Sequence, residues 1–178
     1  MATPILLSTK PLPEFLGASS SGIHEAKLQD AVQALKYADV RNLAVTLAAR
    51  LEDCLQQLNW QFDLIAPVPL HTERLKTRGY NQAGLLAAIL AEKTSSTYEP
   101  HALMRLQQTR SQVGLNREQR LENVENAFSA DPQQVSGKTI LLIDDVRTTG
   151  ATLSACADAV HQAGAVGLYA LTVTVARA

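Results

Sequence analysis

The chain has 178 residues, 46% of them apolar and 19% charged, and its 16 basic and 17 acidic side chains leave a net charge of -1. That length suits a single domain with a sizeable core, and the near balance of charge argues against a general polyanion or membrane-surface partner. The charge is unevenly spread: residues 71–120 hold eight Lys/Arg against four Asp/Glu, and both flanks are net acidic, which suits a local anion site.

Residues 1–22, with Pro4, Pro11, Pro13 and then "GASSSG", read as a flexible arm preceding one domain over 23–178. Apolar residues at helical spacing, Leu28, Val32 and Leu35, then Leu43, Leu47, Leu51 and Leu55, predict two helices broken near Asp39. "DLIAPVPL" (63–70) predicts a buried strand halted by Pro67 and Pro69. "NQAGLLAAILAEK" (81–93) predicts a helix with Asn81 as its N-cap, and "EPHALMRL" (99–106) a strand. The polar stretch 116–128 has helical spacing and reads as an exposed helix or mobile segment. A strand over 137–145, a turn and helix over 148–164, and a β-branched strand over 165–176 close the chain. This alternation predicts an α/β fold, an open and mainly parallel sheet with helices on both faces.

Cys54 and Cys156 stand far apart with no Cys-x-x-Cys and no neighbouring His, so both read as buried apolar residues in a reducing compartment. No signal architecture and no run of roughly 18 apolar residues is present. The expected location is the cytoplasm, without membrane association.

The chemistry concentrates in "LLIDDVRTTGAT" (141–152). An apolar strand ends in Asp144 and Asp145, then Val146, Arg147, Thr148, Thr149, Gly150, Ala151 and Thr152 turn into a helix. Amides at a helix N-terminus favour an anion, Gly150 permits the tight turn, and the hydroxyls of Thr148, Thr149 and Thr152 add donors. The spacing is not that of a Walker loop. Two acids beside an anion seat make sense if the ligand offers vicinal hydroxyls there, as a ribose 5-phosphate does. The plainer alternative is that Asp144 caps the strand and Asp145 the helix. A second basic cluster, Arg74 and Arg78 followed by Gly79, lies in the loop after strand 63–70, either as a solvated basic loop or as guanidinium forks suited to an oxyanion, with Gly79 allowing close backbone approach.

The run of apolar strand, two acids and Thr-Thr-Gly-x-Thr resembles the phosphoribosyltransferases of the type I fold. The resemblance implies that Asp144 and Asp145 bind the ribose hydroxyls of phosphoribosyl pyrophosphate (PRPP) and that Thr148, Thr149, Gly150, Ala151 and Thr152 hold its 5-phosphate. Val146 and Arg147 fall in the same PRPP-binding run, Arg147 either adding charge near the phosphate or pointing to solvent, and Arg74, Arg78 and Gly79 face the diphosphate. "PVPLHTERLKTRGYNQA" (67–83) and "RLQQTRSQVGLNREQRLENVENAF" (105–128) are similar to the ComF/GntX group, over about residues 23 to 176. Many of that group begin with a four-cysteine zinc module, from which this sequence departs.

The resemblance further implies transfer of the phosphoribosyl group from PRPP to an unidentified nitrogen acceptor. Mg²⁺ would be bound mainly through PRPP, and Asp144 and Asp145 would hold the sugar through the reaction. Homodimers are common in the resembled family, and the charge balance argues against direct DNA binding. Arg110, Arg117 and Arg120 fall where such folds carry a mobile hood. In the resembled 6-oxopurine enzymes an Asp occupies the position of Thr148, and a threonine cannot serve as that proton reservoir. The alternative reading is a non-catalytic PRPP-binding regulator or scaffold of the competence machinery. No Gly-x-Gly-x-x-Gly follows a predicted strand, which removes a dinucleotide-binding oxidoreductase.

Overall fold

The computed structural model describes residues 5–6, 14–35, 41–106 and 127–176. In chain order the elements are β1 Ile5–Leu6, β2 Gly17–Ser20, α1 Ala26–Ala34, α2 Arg41–Leu58, β3 Leu64–Pro67, α3 Thr72–Arg78 and α4 Gln82–Thr94. Beyond these lie β4 Thr97–Tyr98, β5 Leu103–Arg105, β6 Phe128–Ala130, α5 Pro132–Val135, β7 Thr139–Arg147, α6 Ala151–Gln162 and β8 Gly167–Val175. Six strands form one sheet in the order β1-β2-β8-β7-β3-β4, parallel except for β1, and β5 and β6 form a separate antiparallel ribbon.

Strand periodicity divides the core. Leu141 and Ile143 of β7 join Ile65, Leu171 and Val173 on one face, against Leu47 and Leu51 of α2 and Leu86 and Leu90 of α4. Ile140 and Leu142 join Leu64, Ala66, Leu168 and Ala170 on the other, against Leu153, Cys156 and Val160 of α6. β7 is apolar on both faces because both are covered, as a central parallel strand requires. Each fully buried Leu or Ile contributes about 1.5–3 kcal/mol.

The fold departs from the sequence expectations at four places. Gly17–Ser20 and Ile5–Leu6, expected in a flexible arm, are strands of the sheet: Gly17–Ser20 pair in parallel with Tyr169–Thr172, and Ser19, Ser20 and the following Ser21 are buried. Hydroxyl pairing makes this burial tolerable, because Ser20 Oγ bonds Thr172 Oγ1 at 2.5 Å and Ser21 donates to the Val173 carbonyl at 2.7 Å. Second, 99–106 is a turn leading into the three-residue β5, which pairs away from the main sheet. Third, Phe128, at the end of the stretch given helical spacing, lies in β6, while 107–126 with Arg110, Arg117 and Arg120 lie outside the described residues, as does Asp39. Fourth, the loop after β3 contains a helix, α3, with no buried residue to betray it in the sequence. Among the described residues no helix is long and apolar enough to cross a membrane.

Candidate active site at the β3–β7 crevice

The chain runs outward from the centre of the sheet in two directions. From β3 it passes through α4 to β4 on one side, and from β7 through α6 to β8 on the other. The two helices cover opposite faces, so strand order reverses between β3 and β7. A crevice at the carboxyl ends of the strands forms where the order reverses. Pairing shows where it opens. β3 stops at Pro67, opposite Ile143, and Val68 N–H donates to the Ile143 carbonyl at 2.9 Å. Beyond that point β7 continues against β8 alone, Asp144 opposite Thr172 and Arg147 opposite Val175.

An open cleft of about 780 Å³ lies there, lined by Asp144, Asp145 and Thr152 together with Arg74, Arg78, Gln82 and Arg105. Acids and guanidinium groups separated by some 70 residues of chain are thus brought to one cleft. Asp144 Oδ1 accepts the Asp145 N–H at 2.8 Å, and Asp145 Oδ1 accepts the Val146 N–H at 2.9 Å. These bonds fix both side chains at the strand end. Neither acid caps α6, because the N-cap is Gly150, with φ 87° in the left-handed region that favours glycine. Thr149 Oγ1 accepts the Ala151 N–H at 3.3 Å, and the first helical bond is Ser154 N–H to the Gly150 carbonyl at 2.9 Å. The amides ahead of that bond are the ones a helix leaves without an intrahelical partner.

Helix α3 presents the other half of the site. His71 caps it, its Nδ1 accepting from Glu73 N–H at 3.3 Å, and Lys76 and Arg78 stand favourably in its last turn. Arg74 and Arg78 are four residues apart, hence on one helical face, and both line the cleft. Gly79 does not line it. Its φ of 80° makes it the left-handed C-cap of α3, and an added Cβ would meet no atom within 4 Å, so turn geometry and not close approach explains the glycine. Asn81 then ties the start of α4 to the chain leaving β3, its Oδ1 accepting from Ala83 N–H at 3.1 Å and its Nδ2 donating to the Val68 carbonyl at 2.9 Å. Tyr80 packs beneath the turn and donates to the Leu35 carbonyl at 2.8 Å.

Other residues named from sequence stand elsewhere. Arg147 is only 3% exposed, inside β7, and burial lowers its pKa from the ordinary arginine value. Val146 packs against the core, whereas Thr148, Thr149 and Ala151 are exposed on the turn beside the cleft. Sequence reasoning passed over Gln33, Thr77, Gln82 and Arg105, all of which line the cleft. Arg105 was legible only as part of the basic excess, since its place depends on the β5–β6 ribbon, where its guanidinium lies 5.3 Å over the Phe128 ring. Burial, with Asp144 adding and Arg105 opposing, pushes the Cys156 thiol well up. That thiol belongs to the core beneath the site.

Comparison with known proteins bears on the fold and on sequence likeness. No family model matches. Over 94 residues, 52% of this chain and 41% of the relative, the sequence is 37% identical to competence protein F of Haemophilus influenzae. It is 34% identical over 103 residues to the DNA utilization protein YhgH of Escherichia coli K12, covering 58% of this chain and 45% of that one. With competence protein ComFC of Bacillus subtilis it shares 38% over 90 residues, 51% of this chain and 35% of that one. The chain spans less than half the length of these curated relatives. Among solved structures it is similar to the glutamine PRPP amidotransferase of B. subtilis, at TM-score 0.58 and 17% identity over 82% of this chain and 30% of that one. It is also similar to an allosteric regulatory enzyme of purine biosynthesis, at TM-score 0.54 and 20% identity over 76% of this chain and 27% of that one. The chain is ComF-like in sequence and has the type I phosphoribosyltransferase fold.

Proposed function

We propose that the cleft binds PRPP and transfers its phosphoribosyl group to a nitrogen acceptor with release of diphosphate, in a process of DNA uptake or use of the kind for which the sequence relatives are named. The observation that carries this reading is the union, in one cleft at the reversal of strand order, of Asp144 and Asp145 with Arg74 and Arg78. The exposed turn at the start of α6 supplies amides and hydroxyls for the 5-phosphate. The acids take the ribose hydroxyls, and the α3 arginines take the diphosphate.

Among the described residues no group of three His, Cys, Asp or Glu gathers around one point. Two carboxylates beside a phosphate-bearing substrate are the sparse protein share that Mg²⁺ takes when phosphate oxygens and water fill most of its shell. Asp144 and Asp145 would hold it with the substrate, and bound there it would neutralise diphosphate charge. As the bond from C1 to the diphosphate oxygen lengthens, positive charge grows on the sugar ring and negative charge on the leaving group. Arg74 and Arg78 stabilise the latter, and the two carboxylates add negative potential near the former. The acceptor nitrogen attacks C1 as the bond from C1 to oxygen breaks, diphosphate departs with the bonding pair, and the nitrogen's proton passes to water or to the diphosphate. The chain's own work is positioning and charge stabilisation.

Calorimetry with PRPP and Mg²⁺, then diphosphate-release assays over a panel of amines, amides and nucleobases, tests the reading. Asp145→Asn should weaken PRPP about 10- to 100-fold, the loss of a charge-assisted hydrogen bond, with an unchanged melting temperature. An unaltered affinity would sink the assignment. Tight binding without turnover across the panel would instead favour a PRPP sensor.

A further inference from the structure

One polar group at the cleft has no part in the proposed reaction. Gln82 opens α4, lines the cleft and is only 5% exposed, and its Oε1 is buried without a hydrogen-bond partner. A carboxamide oxygen held this way is costly, and a ligand that supplies a donor would relieve the cost. The neighbouring carboxamide does not share this state, since both ends of the Asn81 side chain are satisfied.

Its position stems from the packing of α4 on β7. Leu141 and Ile143 of the strand pack in one cluster with Leu86, Ala87 and Leu90 of the helix. The helix starts at the end where the strand finishes. At the cleft end of these two series stand Asp145 on the strand and Gln82 on the helix, and both line the same cleft. The terminal torsion of a glutamine is broad, so a small rotation turns the oxygen towards the ligand.

The chemistry of the ligand narrows what Oε1 meets. Ionised phosphate groups offer acceptors only. In a phosphoribosyl diphosphate the neutral donors are the two ribose hydroxyls. We infer that Gln82 is a specificity-determining residue whose carboxamide oxygen accepts a ribose hydroxyl beside Asp145, so that the diol is read by three side chains. This inference rests on the phosphoribosyl reading of the cleft.

Titration calorimetry with two ligands, ribose 5-phosphate and inorganic phosphate, tests it on the full chain. Wild type should prefer ribose 5-phosphate. Gln82→Met, which keeps the volume and removes the acceptor, should shrink that preference about tenfold, leave phosphate affinity unchanged and melt no lower than wild type. Gln82→Glu, which keeps an acceptor, should retain the preference. A Gln82→Met protein with the full preference, or one that loses phosphate and ribose 5-phosphate affinity in equal measure, overturns the role of Gln82 while leaving the phosphoribosyl reading intact. Failure of wild type to prefer ribose 5-phosphate overturns both.

Discussion

Gly150 bears the sharpest local constraint in the site. Its φ of 87° lies in the left-handed region that favours glycine, and it sits buried where α6 begins. A β-branched replacement costs about 1–2 kcal/mol in that conformation and adds bulk to the turn proposed to hold the phosphate. Gly150→Val should therefore melt about 3–8 °C lower and lose its affinity for phosphate in calorimetry. Retained affinity would place the phosphate elsewhere. At this scale the acids and the turn were legible because their meaning is local: a strand end, a tight bend and a helix start lie within a dozen residues. Arg147 was not, since its burial in β7 depends on the strand running past the end of β3. Gln82 and Arg105 were not either, because only packing of α4 on β7 and pairing of β5 with β6 bring them to the cleft.

At the scale of elements, the helices and strands with long apolar series were readable, among them α2, α4, β7 and β8. α3 was hidden because a seven-residue helix with no buried side chain leaves no periodic trace. β2 was hidden because Gly17, Ala18, Ser19 and Ser20 carry the composition of a loop, and their burial depends on hydroxyl partners on β8. The junction most open to test is Asn81. Its side chain both caps α4 and holds the chain leaving β3, so Asn81→Ala removes a cap worth about 1 kcal/mol and a second hydrogen bond worth about as much. We expect a loss of about 2 kcal/mol in urea titration and a PRPP affinity that falls with it, because Arg78 and Gln82 flank this joint. A stability unchanged by the substitution would show that the joint is held by other means.

For the whole molecule, β2 covers β8 and carries β1 on its outer side. Leu16 N–H donates to the Leu168 carbonyl at 2.8 Å, Ser21 N–H to the Thr172 carbonyl at 3.0 Å, and Arg50 Nη2 to the Ser21 carbonyl at 2.9 Å. Removing residues 1–22 should cost at least about 3 kcal/mol, or roughly 10 °C in melting temperature, and leave β8 as an exposed edge prone to association. A truncated chain that melts like the intact one would restore the flexible arm. Stability should also depend on alkaline pH. Burial raises the thiol of Cys156 well above its ordinary value of 9.0, and burial raises Cys54 as well. The folded form therefore keeps protons that the unfolded chain releases, so stability is complete below about pH 9 and falls as pH climbs above it. Replacing both cysteines by alanine should flatten that fall in thermal melts across about pH 8 to 10, and an unaltered slope would assign it to other groups.

The most direct measurement is the position of a single bound ligand. Crystals grown with PRPP and Mg²⁺ should show the 5-phosphate on the amides of residues 148–152, the ribose hydroxyls on Asp144 and Asp145, and the diphosphate reaching Arg74 and Arg78. Ligand density away from the β3–β7 crevice, or a crevice left empty at saturating ligand, would contradict a phosphoribosyl site there.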